Sequence, residues 1–241
     1  MDLVVLAAGK GTRMKSDIPK VLHRPGERKS IIKLILDKLS RLNFENTIVV
    51  TGYKENMVKE RLKKYRLEFV TQEEQLGTAD AVETAKKKIS SSNFLVINGD
   101  LPLIKEDAIS DFIEEFKRKA PSIAVLTTEV KDPSGYGRII RGNSGNLNKI
   151  IEDSDLQEKQ REIKEINTGI YAFSNTASLW KEISKIKSDN DQNEFYLTDI
   201  VDRFMSKGKQ VIAIKLNPPR QFLGVNDRSE LAKAGLVLNR E

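Results

Sequence analysis

The chain has 241 residues, 39% hydrophobic and 32% charged, with 41 basic against 35 acidic side chains and a formal net charge of +6. It has no cysteine and one histidine, His23, which excludes disulfides and a thiolate nucleophile or metal site and argues against a histidine-rich zinc centre. No stretch approaches the roughly 18 apolar residues of a membrane span, the start reads as a core strand rather than a signal peptide, and the basic residues are dispersed; the expectation is a cytoplasmic protein with no membrane and no nucleic-acid partner.

Leu3-Val4-Val5-Leu6, wholly apolar after Asp2, reads as a strand buried on both faces that ends in Ala7, Ala8 and Gly9. Small residues at the carboxyl end of such a strand let a flat base or a phosphate approach the main chain, and Gly9 and Gly11 permit the backbone angles this needs. Lys10, Arg13 and Lys20 add cations suited to a triphosphate. Gly9-x-Gly11-x-x-Met14 lacks the third glycine of a dinucleotide fingerprint, and no G-x-x-x-x-G-K-S/T occurs. An ordinary glycine-rich connection with solvated charges accounts for the glycines equally well.

Apolar residues at helical spacing over 31–42 are followed by a buried strand at 46–50, a helix through Met57, Val58, Leu62 and Tyr65, and a short strand at 67–70. This alternation implies a parallel sheet with helices on both faces. Gln72 to Val82 is a polar turn feeding a helix that Thr78 is expected to cap; a free helix N-terminus there suits an anion or a base carbonyl, and a plain capped helix is the alternative. Phe94 to Ile97 forms an apolar strand that delivers Asn98, Gly99 and Asp100 at its carboxyl end, where open α/β sheets place ligands. Beside a nucleoside triphosphate, the Asp100 carboxylate suits Mg²⁺; a helix N-cap is its bland role, better filled by residues 105–107 before the helix at 109–116.

A strand at 123–130 leads through Gly135-Tyr136-Gly137-Arg138 to a hairpin at Gly142-Asn-Ser-Gly145 and a return strand ending at Glu152. The charged segment 153–165 has too few apolar residues for a core and reads as a mobile flap over a binding site or as an exposed loop. One more strand at 165–173, a helix bearing Leu197, Ile200, Val201 and Phe204, a strand at 210–216 and a terminal helix opened by Gly224-Val225-Asn226-Asp227-Arg228 complete the chain.

The string from Leu6 to His23, LAAGKGTRMKSDIPKVLH, resembles the signature of the sugar-nucleotide pyrophosphorylases, and within them the N-acetylglucosamine-1-phosphate uridylyltransferase domain. Six further strings resemble the same family in order, so the likeness covers essentially the whole chain. It implies that Gln72, Gly77 and Thr78 contact uracil, that Gly137, Glu152 and Asn167 bear on the sugar, and that Asn226 joins Asp100 as a metal ligand; no local feature suggests that last pairing. Leu6, Ala7, Ala8, Gly9, Lys20, Asn98, Gly99 and Asp100 complete the implied substrate contacts, and Arg13 and Lys20 are the implied catalytic pair. Two positions depart from the pattern: Asp80 stands where the family commonly has histidine, and Phe195 replaces a tyrosine.

The resemblance implies a doubly wound, mostly parallel Rossmann-like α/β sheet with a small β-rich sugar-binding lobe. One domain would span 1–241, with a nucleotide part mainly at 1–120, a sugar part mainly at 121–226 and a C-terminal helix at 227–241. The expected partners are UTP and a sugar 1-phosphate, with Mg²⁺ as cofactor. A related transferase using another sugar 1-phosphate or nucleotide, and a non-catalytic nucleotide-sugar sensor, are the alternatives. No hexapeptide repeat of the family's acetyltransferase β-helix is visible, so these residues are expected to show no acetyl transfer and to be monomeric or weakly associated.

Overall fold

A computed structural model of the chain describes residues 1–240. The alternation resolves into β1 (Asp2–Ala7), α1 (Ile31–Leu39), β2 (Thr47–Thr51), α2 (Glu55–Leu62), β3 (Glu68–Thr71), α3 (Thr78–Ala85), β4 (Asn93–Asn98), α4 (Glu106–Lys119) and β5 (Ile123–Glu129). After it come β6 (Arg138–Arg141), β7 (Leu147–Ile151), β8 (Glu165–Ser174), α5 (Ala177–Ile183), α6 (Asp199–Met205), β9 (Val211–Lys215) and α7 (Arg228–Leu238). The strands form one mixed sheet whose main path runs β3-β2-β1-β4-β8-β5-β9. β8 alone on this path runs opposite to the others, pairing antiparallel with both β4 and β5.

Side chains alternate across β1, and the core divides accordingly. Leu3, Val5 and Ala7 join α1, α2, α4 and α7 on one face, where Ile35, Leu39, Phe112 and Phe116 are nearly or fully buried. Val4 faces the other way, toward α3, α5 and α6, with Val82, Leu179 and Ile200. Phe94 stacks on Phe173 and Trp180 at centroid separations of 5.1 and 5.5 Å, which seats α5 on the second face. This short helix, ASLWKEI, is absent from the sequence reading.

The excursion between β5 and β8 carries the β6–β7 hairpin, as Gly142 and Gly145 predict. It leaves and returns at adjacent points: Glu129 pairs with Glu165, and Val130 N donates to Lys164 O at 3.0 Å. The charged segment within it is not featureless, since Asp153–Asp155 and Glu158–Glu162 form 3-10 turns and Leu156 is buried. No helix among the described residues is long and apolar enough to cross a membrane.

Candidate active site

β1, β2 and β4 end at one edge of the sheet, and β8, running the other way, begins there. The loop after β1 folds back on itself at Gly11, whose φ is +67° and where a Cβ would lie 2.5 Å from Lys20 Cβ; the loop can lie this close to Lys20 only without a side chain. Lys20 opens a 3-10 turn after Pro19. Its Nζ donates to Asp100 Oδ2 at 2.5 Å and to Asn226 Oδ1 at 3.0 Å. The start of α7 fixes Asn226: Asp227 Oδ1 accepts from Glu230 N, Glu230 Oε2 accepts from Asn226 N, and Arg228 donates to the carbonyls of Met14 and Lys15 in the β1 loop. Val225 N donates to Asp100 O at 2.8 Å, which ties the same segment to the end of β4.

Two hard oxygen donors, one carboxylate and one amide, therefore already converge on a single cation, the Lys20 ammonium. That donor set fits Mg²⁺, which binds oxygen through one or two protein ligands and fills the rest of its shell with phosphate and water. Among the described residues there is no cluster of three or more His, Cys, Asp or Glu that could hold a metal, so Asp100 and Asn226 would hold the ion with the substrate's help.

Two cavities open along this edge and share a wall of Thr78, Asn98 and Asp100. The first, about 250 Å³, is also lined by Leu6, Ala7, Ala8, Gly9, Lys20, Gln72, Gly77 and Gly99. The second, about 180 Å³, is lined by Arg13, Gly137, Glu152, Asn167 and Asn226. Of the residues the sequence put forward, all but Lys10 and Gly11 border one or the other; the Lys10 ammonium lies 5.6 Å from the Tyr53 ring centroid instead. Arg13 faces the second cavity and not the first, although its position in the glycine loop suggested a place with Lys20.

On the wall of the first cavity the buried Gln72 donates from Nε2 to Gly77 O at 3.0 Å and to Asp80 Oδ2 at 2.6 Å. Thr78 does not cap α3, contrary to expectation. Gly77 occupies the cap position, and Thr78 Oγ1 instead accepts from Leu197 N at 3.0 Å. That bond joins two others, Phe195 N to Leu76 O at 2.8 Å and Ala79 N to Phe195 O at 2.9 Å, which stitch residues 195–197 across the turn before α3. α3 starts at Thr78 itself, so the threonine falls inside the helix and its hydroxyl serves a residue 119 positions away.

The second cavity is polar and internally braced. Thr198 Oγ1 donates to Glu152 Oε1 at 3.0 Å. Burial pushes the Glu152 carboxyl above the usual glutamate range, and the nearby Asp155, Asp199 and Asp153 push the same way against that hydrogen bond. Asn167 Nδ2 donates to Tyr171 Oη at 2.7 Å while its Oδ1 accepts from Gly169 N at 3.0 Å, which fixes the orientation of the amide. Gly224 N donates to Tyr136 Oη at 3.1 Å, and burial pushes the Tyr136 phenol up to about 12, so it stays protonated at neutral pH. Arg138 donates to Asp153 Oδ1 at 3.0 Å and to the Tyr136 carbonyl, holding the start of the charged segment beside the cavity.

Tyr136, Tyr171 and Thr198 were not put forward as site residues. Tyr136 stands next to Gly137 in a string already singled out, and Tyr171 follows Asn167 by four positions on the same strand. Thr198 lies in the string 190–199 that resembles the family, but its role arises only when α6 meets the end of β7.

The sequence matches the nucleotidyl transferase family over residues 3–218. It is 41% identical over 237 residues to the bifunctional protein GlmU of Bacillus cereus strain G9842, a match covering 98% of this chain and 51% of the relative. The chain therefore spans about half the length of that relative. The fold is similar to that of a UDP-glucose pyrophosphorylase complexed with UDP-glucose, with a TM-score of 0.76, 19% identity and 99% and 98% of the two chains covered. It is also similar to HddC from Yersinia pseudotuberculosis complexed with GMP-PN, with a TM-score of 0.72, 24% identity and 98% and 99% covered. At these identities the structural likenesses speak for the fold alone.

Proposed function

Because the chain belongs to the nucleotidyl transferase family, we propose that it transfers a uridylyl group from UTP to N-acetylglucosamine 1-phosphate, giving UDP-N-acetylglucosamine and pyrophosphate. The observation that carries this reading is the shared wall. A glycine-lined cavity at the ends of β1 and β4 and a braced polar cavity under the β6–β7 hairpin meet at Asn98 and Asp100, within reach of the Lys20 ammonium.

A sugar phosphate monoester has a second pKa of about 6, so it is ionised at neutral pH and needs no general base. Catalysis reduces to alignment and charge neutralisation. The phosphate oxygen attacks the α-phosphorus of UTP, a P–O bond forms, and pyrophosphate leaves opposite with the electron pair of the broken bond. Lys20 places its charge on the reacting phosphates, and Arg13 adds a second cation beside them. Mg²⁺, held by Asp100 and Asn226 when bound, supplies further neutralisation of the phosphate charge. Glu152 and Asn167 accept and donate hydrogen bonds to sugar hydroxyls or an acetamido group, and an analogue lacking those groups leaves them unpaired.

Pyrophosphate release, measured with a panel of nucleoside triphosphates and sugar 1-phosphates in Mg²⁺ buffer, tests the reading. Highest kcat/KM with UTP and N-acetylglucosamine 1-phosphate supports it; turnover confined to another pair, or none at all, overturns it.

A further inference from the structure

The environment of Gln72 reaches beyond the reaction to the choice of base. Both protons of its Nε2 are taken, one by the Gly77 carbonyl and one by the Asp80 carboxylate. Neither partner can donate, so the amide has one orientation; turned over, it would set Oε1 against a carboxylate oxygen at about hydrogen-bond distance. Among the described residues no hydrogen bond runs to Oε1, which is not among the buried polar atoms lacking a partner, and Gln72 borders the first cavity. Oε1 is therefore the atom left for a ligand.

We propose that Asp80 is a positioning residue that sets base selectivity: by holding Gln72 Nε2 it presents Oε1 as a fixed acceptor in the first cavity. The chemical consequence separates two bases of equal size. Uracil carries a proton on N3 and can donate to Oε1, whereas cytosine presents an N3 lone pair that Oε1 repels. With a neutral amide at position 80, either face of the Gln72 amide finds a partner there, and only Gly77 O still favours the original orientation. Asp80 does not touch the reacting phosphates, so its effect is confined to which nucleotide is accepted.

This inference rests on the uridylyl-transfer reading, and one experiment separates the two. Wild-type protein and Asp80→Asn are assayed with UTP and with CTP at fixed N-acetylglucosamine 1-phosphate, and Tm is recorded for both proteins. Wild type is expected to prefer UTP. In Asp80→Asn the UTP:CTP ratio of kcat/KM is expected to fall by about 10- to 100-fold, the range of one hydrogen bond to a charged group, with little change in Tm. A wild type without UTP turnover sinks the functional reading. A wild type that prefers UTP, with an Asp80→Asn variant whose two activities fall together and leave the ratio unchanged, overturns the role of Asp80 alone. Asp80→Ser, which is shorter and also uncharged, must move the ratio the same way; an unchanged ratio there refutes the inference as well.

Discussion

Gly77→Ala tests the stitched turn between α3 and residues 195–197. Gly77 has φ of +132°, and a Cβ added there would lie 2.5 Å from Phe195 N and 2.6 Å from Phe195 O, both backbone atoms that cannot swing aside. Holding a non-glycine residue in such a region costs about 1–3 kcal/mol, and overpacking of this kind costs about 1–3 kcal/mol more. Taken at mid-range the loss is about 4 kcal/mol, which at about 2–4 °C per kcal/mol for a chain of this size lowers Tm by about 8–16 °C. Gly145→Ala is the matched control. Its φ is +78°, but nothing lies within 4 Å of its Cβ position, so only the backbone conformation is penalised. Thermal unfolding of the two variants side by side compares a positive-φ site that meets backbone with one that meets nothing. If Gly77→Ala loses no more than Gly145→Ala, the stitch carries no energy and the reasoning fails.

Asp100→Ala is expected to lower kcat/KM by more than about 100-fold while leaving Tm within a few degrees, because it removes a ligand and an ion-pair partner of Lys20 rather than packing. Near-wild-type activity in Mg²⁺ would contradict the metal assignment. Lys20→Ala is expected to act mainly on kcat, since charge on the reacting phosphates matters most in the transition state; a raised KM with unchanged kcat would limit Lys20 to binding. For Glu152 the folded pKa lies above the unfolded value, so the native state binds more protons between the two and stability falls as pH rises through that window. Glu152→Gln is therefore expected to raise Tm at pH 7.5 and to change it less near pH 4, below the usual glutamate range; an equal change at both pH values would count against a desolvated carboxylate.

The parallel half of the fold was legible because its strands are buried on both faces and declare themselves as short apolar runs. Val4 and Val5 point to opposite cores, yet neither can be polar. The position of β8 was not legible. Nothing in EINTGIYAFS says that it will run antiparallel between β4 and β5, because strand pairing is decided by distant partners, with Val96 pairing Tyr171 in β4 and Glu129 pairing Glu165 in β5. α5 was missed because seven residues give too little periodicity, and its anchor, the stacking of Trp180 on Phe94, is long-range. The site shows the same division. The glycine loop and Asp100 stand out locally, whereas Lys20, Asp100 and Asn226 meet across separations of 80 and 206 residues, and only family resemblance paired the last two. Asp80 was noticed as a departure, but its hold on Gln72 needed coordinates.

The excursion between β5 and β8 departs and returns one hydrogen bond apart, at Val130 and Lys164. A segment whose ends already touch has its closure entropy almost independent of its length, since each doubling adds only about 0.6 kcal/mol. The hairpin tip at Gly142 and Gly145, where nothing lies within 4 Å of either Cβ position, can therefore lengthen or shorten without asking the sheet to move, provided that Ile139, Leu147 and Ile150 stay in the core and the two ends keep their register. The loop after β1 has no such freedom, because Arg228 at the start of α7 holds its Met14 and Lys15 carbonyls. On the proposed uridylyl-transfer reading, selection can thus vary the tip of the excursion beside the second cavity while the loops around Lys20 and Asp100 are inherited unchanged.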